Sequence, residues 1–156
     1  MNTEKIAFLF PYHKSENDEK SPMLIMETDE LPVTTDLDFQ VHFLGLIHDT
    51  PYWVSACLYR IENELEISVS GDKGAFDMII GGHSHDPICV DDKGVWIKAK
   101  GHNEIRNTLA TSMSMHFDKC KLDADGDYLI RVSISKDNTL VHSAQAYFSV
   151  SHVKDA

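Results

Sequence analysis

At 156 residues, 42% of them hydrophobic and 25% charged, the chain is long enough to bury a core without disulfides or structural metals. Its formal charge of −11 repels nucleic acid and anionic membrane at long range, and the densest basic group, Lys93, Lys98 and Lys100, is too sparse to reverse this. No stretch approaches the roughly 20 apolar residues of a membrane span, and the apolar run Ile6–Pro11 is too short for the core of a signal peptide. A single domain over 1–156, working in the cytoplasm, is the expectation. The odd set Cys57, Cys89 and Cys120 has no Cys-x-x-Cys spacing, which favours reduced thiols behaving as small buried hydrophobes.

In chain order, a first strand is expected near Glu4–Phe10 and a second near Met23–Glu27, with the polar stretch His13–Pro22 as a loop between them. Period-two alternation then dominates. Leu37, Phe39, Val41 and Phe43 share one side, with Asp38, Gln40 and His42 opposite. After the turn His48–Pro51, Val54, Ala56 and Leu58 continue the pattern, extending to Arg60. The run Leu109, Thr111, Met113, Met115, Phe117 alternates with Ala110, Ser112, Ser114 and His116. Tyr128, Ile130, Val132, Ile134 and then Ala144, Ala146, Phe148, Val150 close the series. Turn chemistry falls at Ser70–Gly74, Asp91–Gly94, Asp123–Asp127 and Lys136–Asn138. Only Ile61–Leu65 and Asn103–Thr108 have room for a turn or two of helix.

Short strands with a turn signal every 8–15 residues or so predict an all-β fold, a two-sheet antiparallel β-sandwich with little helix. Phe39, Val41, Phe43, Val132, Ile134 and Phe148 are the expected core, because alternation places each on one face of its strand. The aromatic residues Tyr52, Trp53 and Trp96 are expected to pack in the core or at its rim.

The segment Gly126-Asp-Tyr128 followed by Leu-Ile-Arg-Val resembles the Gly-x-Tyr corner of immunoglobulin-like domains. With Phe39-Gln-Val-His-Phe-Leu-Gly, Trp53-Val-Ser-Ala-Cys-Leu-Tyr and the closing Tyr147-Phe-Ser-Val, about half of the chain resembles bacterial immunoglobulin-like or C2-like sandwich domains of unassigned function. That resemblance implies a fold and no activity.

A second resemblance is local. Phe76-Asp-Met-Ile-Ile-Gly-Gly-His83-Ser-His85-Asp86-Pro is similar to the Gly-His-x-His block of metallophosphoesterases, whose two imidazoles serve a two-metal centre that activates water. By that resemblance His83 and His85 are metal ligands. Independently of it, two histidines two apart on a strand point to the same face, where Asp86, Asp91, Asp92 or His102 could supply a third ligand to a simpler metal site. The rest of the family pattern is absent. No Asp-x-His stands near the N-terminus, no Gly-Asn-His precedes the block, and two imidazoles leave most of a coordination shell unfilled. Asp123, Asp125 and Asp127 lack the spacing of an EF-hand. They could join Asp49, Asp91 and Asp92 only if the loops converge as in calcium-binding C2 domains. No Gly-x-Ser-x-Gly elbow occurs.

The reading that follows is a non-enzymatic binding or assembly module acting through a protein partner or self-association, with no cofactor. A small metal-dependent phosphoesterase-like hydrolase using His83, His85, Asp86 and His102 around a divalent metal is the alternative.

Overall fold

The computed structural model describes residues 3–14, 19–61, 88–98, 100 and 108–154. These form β1 (Lys5–Lys14), β2 (Lys20–Pro22), β3 (Ile25–Thr28), β4 (Val33–Ile47), β5 (Pro51–Ile61), β6 (Ile88–Lys98), β7 (Thr108–Leu122), β8 (Gly126–Lys136) and β9 (Thr139–His152). They make a four-stranded sheet in the order β2-β1-β4-β7 and a five-stranded sheet in the order β3-β9-β8-β5-β6. Every pairing is antiparallel except β3 with β9, which is parallel.

The order identifies an immunoglobulin-like sandwich rather than a C2-like one. β5, β8 and β9 occupy the C, F and G places of one sheet, and β1, β4 and β7 the A, B and E places of the other. The N-terminal segment serves both sheets, since β1 pairs with β4 while β3 crosses over to pair with β9.

The alternating residues fill the space between the sheets. Phe39, Val41, Phe43, Val132, Ile134 and Phe148 are all buried, as the alternation predicts, together with Leu37, Leu46, Val54, Leu58, Phe117 and Ile130. Phe39 stacks on Phe117 across β4 and β7, with ring centroids 5.2 Å apart. Ile130, two residues after Tyr128, stands where antibody domains carry the second cysteine of their inter-sheet disulfide, and it is fully buried. Apolar packing takes the place of that cross-link, because all three cysteines are free. At one margin Lys93 on β6 donates to the His116 carbonyl on β7 at 2.8 Å, tying the two sheets together.

Two crossings between sheets are closed by buried tyrosines. Where β7 passes into β8, the Tyr128 hydroxyl donates to the Ala124 carbonyl at 2.7 Å, the bond expected of a tyrosine corner. Where β4 passes into β5, the Tyr52 hydroxyl accepts from the Ile47 N–H at 2.9 Å and donates to Glu4 Oε1 at 3.1 Å. Lys136 reaches the same oxygen at 2.8 Å.

Several expectations are corrected. His13–Pro22 is not all loop: β1 runs on to Lys14, and Lys20–Pro22 folds back as β2 to pair with it. Asp91–Gly94 is no turn but the middle of β6, where two aspartates are tolerated because this strand ends the order of its sheet. Of the cysteines only Cys120 is buried, whereas Cys57 is half-buried and Cys89 exposed. The turn at Ser70–Gly74 lies outside the described residues, as do 62–65 and 103–107 of the two segments considered for helix; Ile61 and Thr108 belong to β5 and β7. Among the described residues no helix is long and apolar enough to cross a membrane.

Candidate binding face

Because Val54, Ala56 and Leu58 point into the core, Trp53, Ser55, Cys57 and Tyr59 must point out. Cross-strand register carries this outward set over the five-stranded sheet in successive rows. The first row is Trp96, Trp53, Ser135 and Leu140; the second is Gly94, Ser55, Ser133 and Ser143. The third is Asp92, Cys57, Arg131 and Gln145, and the fourth is Cys89, Tyr59, Leu129 and Tyr147.

The rows differ in character. At one end, Arg131 lies with its guanidinium 5.4 Å from the centre of the Tyr59 ring. Tyr147 is 57% exposed, and Leu129, flanked by the two tyrosines, is only 4% exposed. The second row is short-chained and flat. At the other end, the Trp53 and Trp96 rings meet with centroids 5.2 Å apart and planes tilted by 57°. Trp96 is 64% exposed and Trp53 36%. Beside them lies an open cleft of about 400 Å³, lined by the two indoles with Ser135, Asp137 and Asn138.

Gly94 makes the tryptophan arrangement possible. A Cβ there would fall 2.0 Å from Trp53 Cζ2, so only glycine lets the indole lie flat across β6. Asp137 and Asn138 form the turn between β8 and β9 with φ of 51° and 61°, the left-handed geometry of a tight two-residue hairpin turn, which Asp and Asn tolerate well.

The expected aromatic packing therefore holds for Tyr52, which is fully buried, and fails for Trp53 and Trp96. The Trp53 signal was in the sequence, in the inward phase of Val54, Ala56 and Leu58. That of Trp96 was hidden because Asp91–Gly94 imitates a turn.

His83, His85, Asp86 and His102 lie outside the described residues. Among the described residues no three His, Cys, Asp or Glu side chains are grouped to hold a metal ion. The aspartates considered for calcium do not converge. Asp49 pairs with Lys98 at 3.4 Å near the Trp53 end of the sandwich, and Asp123 lies 3.8 Å from Lys121 at the far end of β8. Eleven residues of strand separate those ends, about 35 Å. Asp91 accepts from the Asp92 N–H, and Asp127 from the Ser149 hydroxyl. Burial pushes the Cys120 thiol up to about 11 and raises that of Cys89, so both are poor nucleophiles at neutral pH.

No family model and no curated protein matches the chain. Among solved structures, the chain is similar to the CARDB domain of a Pyrococcus furiosus protein in complex with di-metal ions, with 11% identity over 96% of this chain and 86% of that one and a TM-score of 0.43. It is similar to a Mobiluncus mulieris adhesin containing intramolecular disulfide, isopeptide and ester cross-links, with 10% identity, 96% of this chain, 58% of that one and a TM-score of 0.46. The C-terminal domain of Wzt matches with 10% identity over 98% of this chain and 76% of that one, at a TM-score of 0.47.

Proposed function

We propose that the chain is a non-enzymatic binding module that meets a protein partner, or a second copy of itself, through the outward face of the five-stranded sheet. The observation that supports this reading is the row of Tyr59, Leu129 and Tyr147 with Arg131 above it: aromatic rings and a guanidinium, set on strands and not on loops. Tyr and Arg dominate the energetic centres of protein interfaces because they bury much area while losing little side-chain entropy per contact. The serines around them leave the face flat enough for another surface to approach.

Site-specific photocrosslinking tests the proposal. A photoreactive residue at Tyr147, in cells that make the protein, is expected to give one discrete protein adduct, either a dimer of this chain or a heterocomplex. Arg131→Ala should weaken that adduct markedly. The same probe at Ser112, on the opposite sheet, is the control. Equal adducts at both positions, or none at Tyr147, would overturn the assignment.

A further inference from the structure

The cleft at the tryptophan end of this face has a chemistry of its own, and we propose that it is a carbohydrate-binding site for a neutral mono- or disaccharide unit. A sugar ring presents two kinds of surface: faces of C–H groups that pack on aromatic rings, and a rim of hydroxyls that must keep their hydrogen bonds. The cleft supplies both. Trp53 and Trp96 give it an aromatic wall of two tilted rings, and Gly94 lets the Trp53 indole lie flat on the strand, since any side chain at this position would lift it off. Ser135, Asp137 and Asn138 edge the same cleft. Among the described residues, the side chains of these three make no hydrogen bond or ion pair, so their donors and acceptors are free to meet hydroxyls. At about 400 Å³ the space lies in the range of small-ligand sites.

Two other ligand classes fit less well. Quaternary ammonium groups are recognised inside aromatic cages. Here the rings touch, with centroids 5.2 Å apart, and leave no gap between them for a cation. A phosphate or carboxylate would meet the Asp137 carboxylate in a chain of net charge −11. What remains is a ligand that is uncharged, rich in hydroxyls and flat on one side. This site stands apart from the protein-binding row of Tyr59, Arg131 and Tyr147, and does not require that row to have a partner.

The test is convenient because Trp53 and Trp96 are the only tryptophans in the chain. All of its tryptophan fluorescence therefore reports on the cleft. The full chain is titrated to millimolar levels with cellobiose, maltose, lactose, chitobiose and mannobiose, and in parallel with choline and inorganic phosphate. A saturable change with at least one disaccharide, and none with choline or phosphate, is expected. Trp96→Ala, read through the remaining Trp53, should weaken that binding by at least about tenfold, as should Asp137→Ala. Arg131→Ala should leave it unchanged, which separates failure of this site from failure of the protein-binding row. Saturation-transfer NMR on the sugar protons gives a second readout that does not depend on the tryptophan signal. Silence toward every disaccharide, a response to choline or phosphate in preference, or full retention of binding in both variants would overturn the proposal.

Discussion

Tyr128, where β7 passes into β8, and Tyr52, where β4 passes into β5, are both fully buried, and each closes a crossing between the sheets through its hydroxyl. The Tyr128 bond is neutral and local, reaching a carbonyl four residues back. That of Tyr52 belongs to a charged network that joins Glu4, Ile47, Tyr52 and Lys136 from four parts of the chain. A neutral local bond needs only the turn to form, whereas the ionic one needs the whole sandwich in place. Glu4 is 2% exposed, and its second carboxylate oxygen has no partner among the described residues. That crossing therefore holds a buried charge whose hydrogen bonding is incomplete.

Removing either ring should be the most damaging change. Tyr128→Ala and Tyr52→Ala should each cost about 3–5 kcal/mol, as large-to-small core substitutions do, measured by denaturant unfolding. A cost below about 1 kcal/mol at either site would mean that its ring does not hold the crossing.

Removing only the hydroxyls should separate the two. Tyr128→Phe gives up one neutral bond, about 0.5–1.5 kcal/mol, whereas Tyr52→Phe gives up a bond to a carboxylate and leaves the Ile47 N–H unpaired, about 1.5–3 kcal/mol. Equal costs would erase the distinction between them.

The smallest and most specific effect is in acid. Burial pushes the Glu4 carboxyl up, but hydrogen bonds from Lys136, its own backbone and Tyr52 outweigh it, so the net shift is downward. A carboxyl lowered in the folded state contributes stability above its unfolded value, and loses it as pH falls through the folded value. The wild type should therefore lose stability below about pH 4, and Glu4→Gln should flatten part of that limb. Some slope should remain, because Asp36 is also lowered, first by the Lys119 N–H and then by Asp118. Tyr128 adds nothing in acid. Burial raises both phenols, so both crossings weaken together only at alkaline pH, as the phenols ionise. An unchanged acid limb in Glu4→Gln would remove the ionic network as a source of stability.

The same contrast explains what could be read before folding. Gly126-x-Tyr128 is a contiguous signature, so its corner was visible in the sequence, and period-two alternation exposed the core of β4, β8 and β9. Nothing local links Glu4 to Tyr52 or Lys136, which lie 48 and 132 positions away. The Trp53–Trp96 wall was hidden in the same way. The alternation of β5 turns Trp53 outward, but only the register of β5 against β6 brings Trp96 beside it on the same face. Asp91, Asp92 and Gly94 concealed that register, because an outer strand carries residues that a central strand would reject.

The parallel pairing of β3 with β9 also bears on how fast the molecule can assemble. Ile25 finds its partner at Ser149, and Val33 of β4 finds Leu122 of β7, so both pairings must close loops spanning much of the chain. The entropy of such closures is spent before their hydrogen bonds form, and sandwiches built on distant contacts fold in milliseconds to seconds rather than microseconds. The hairpin of β8 and β9, joined by the turn at Asp137 and Asn138, needs no such search. The parallel edge of β3, by contrast, can form only once β9 is in place.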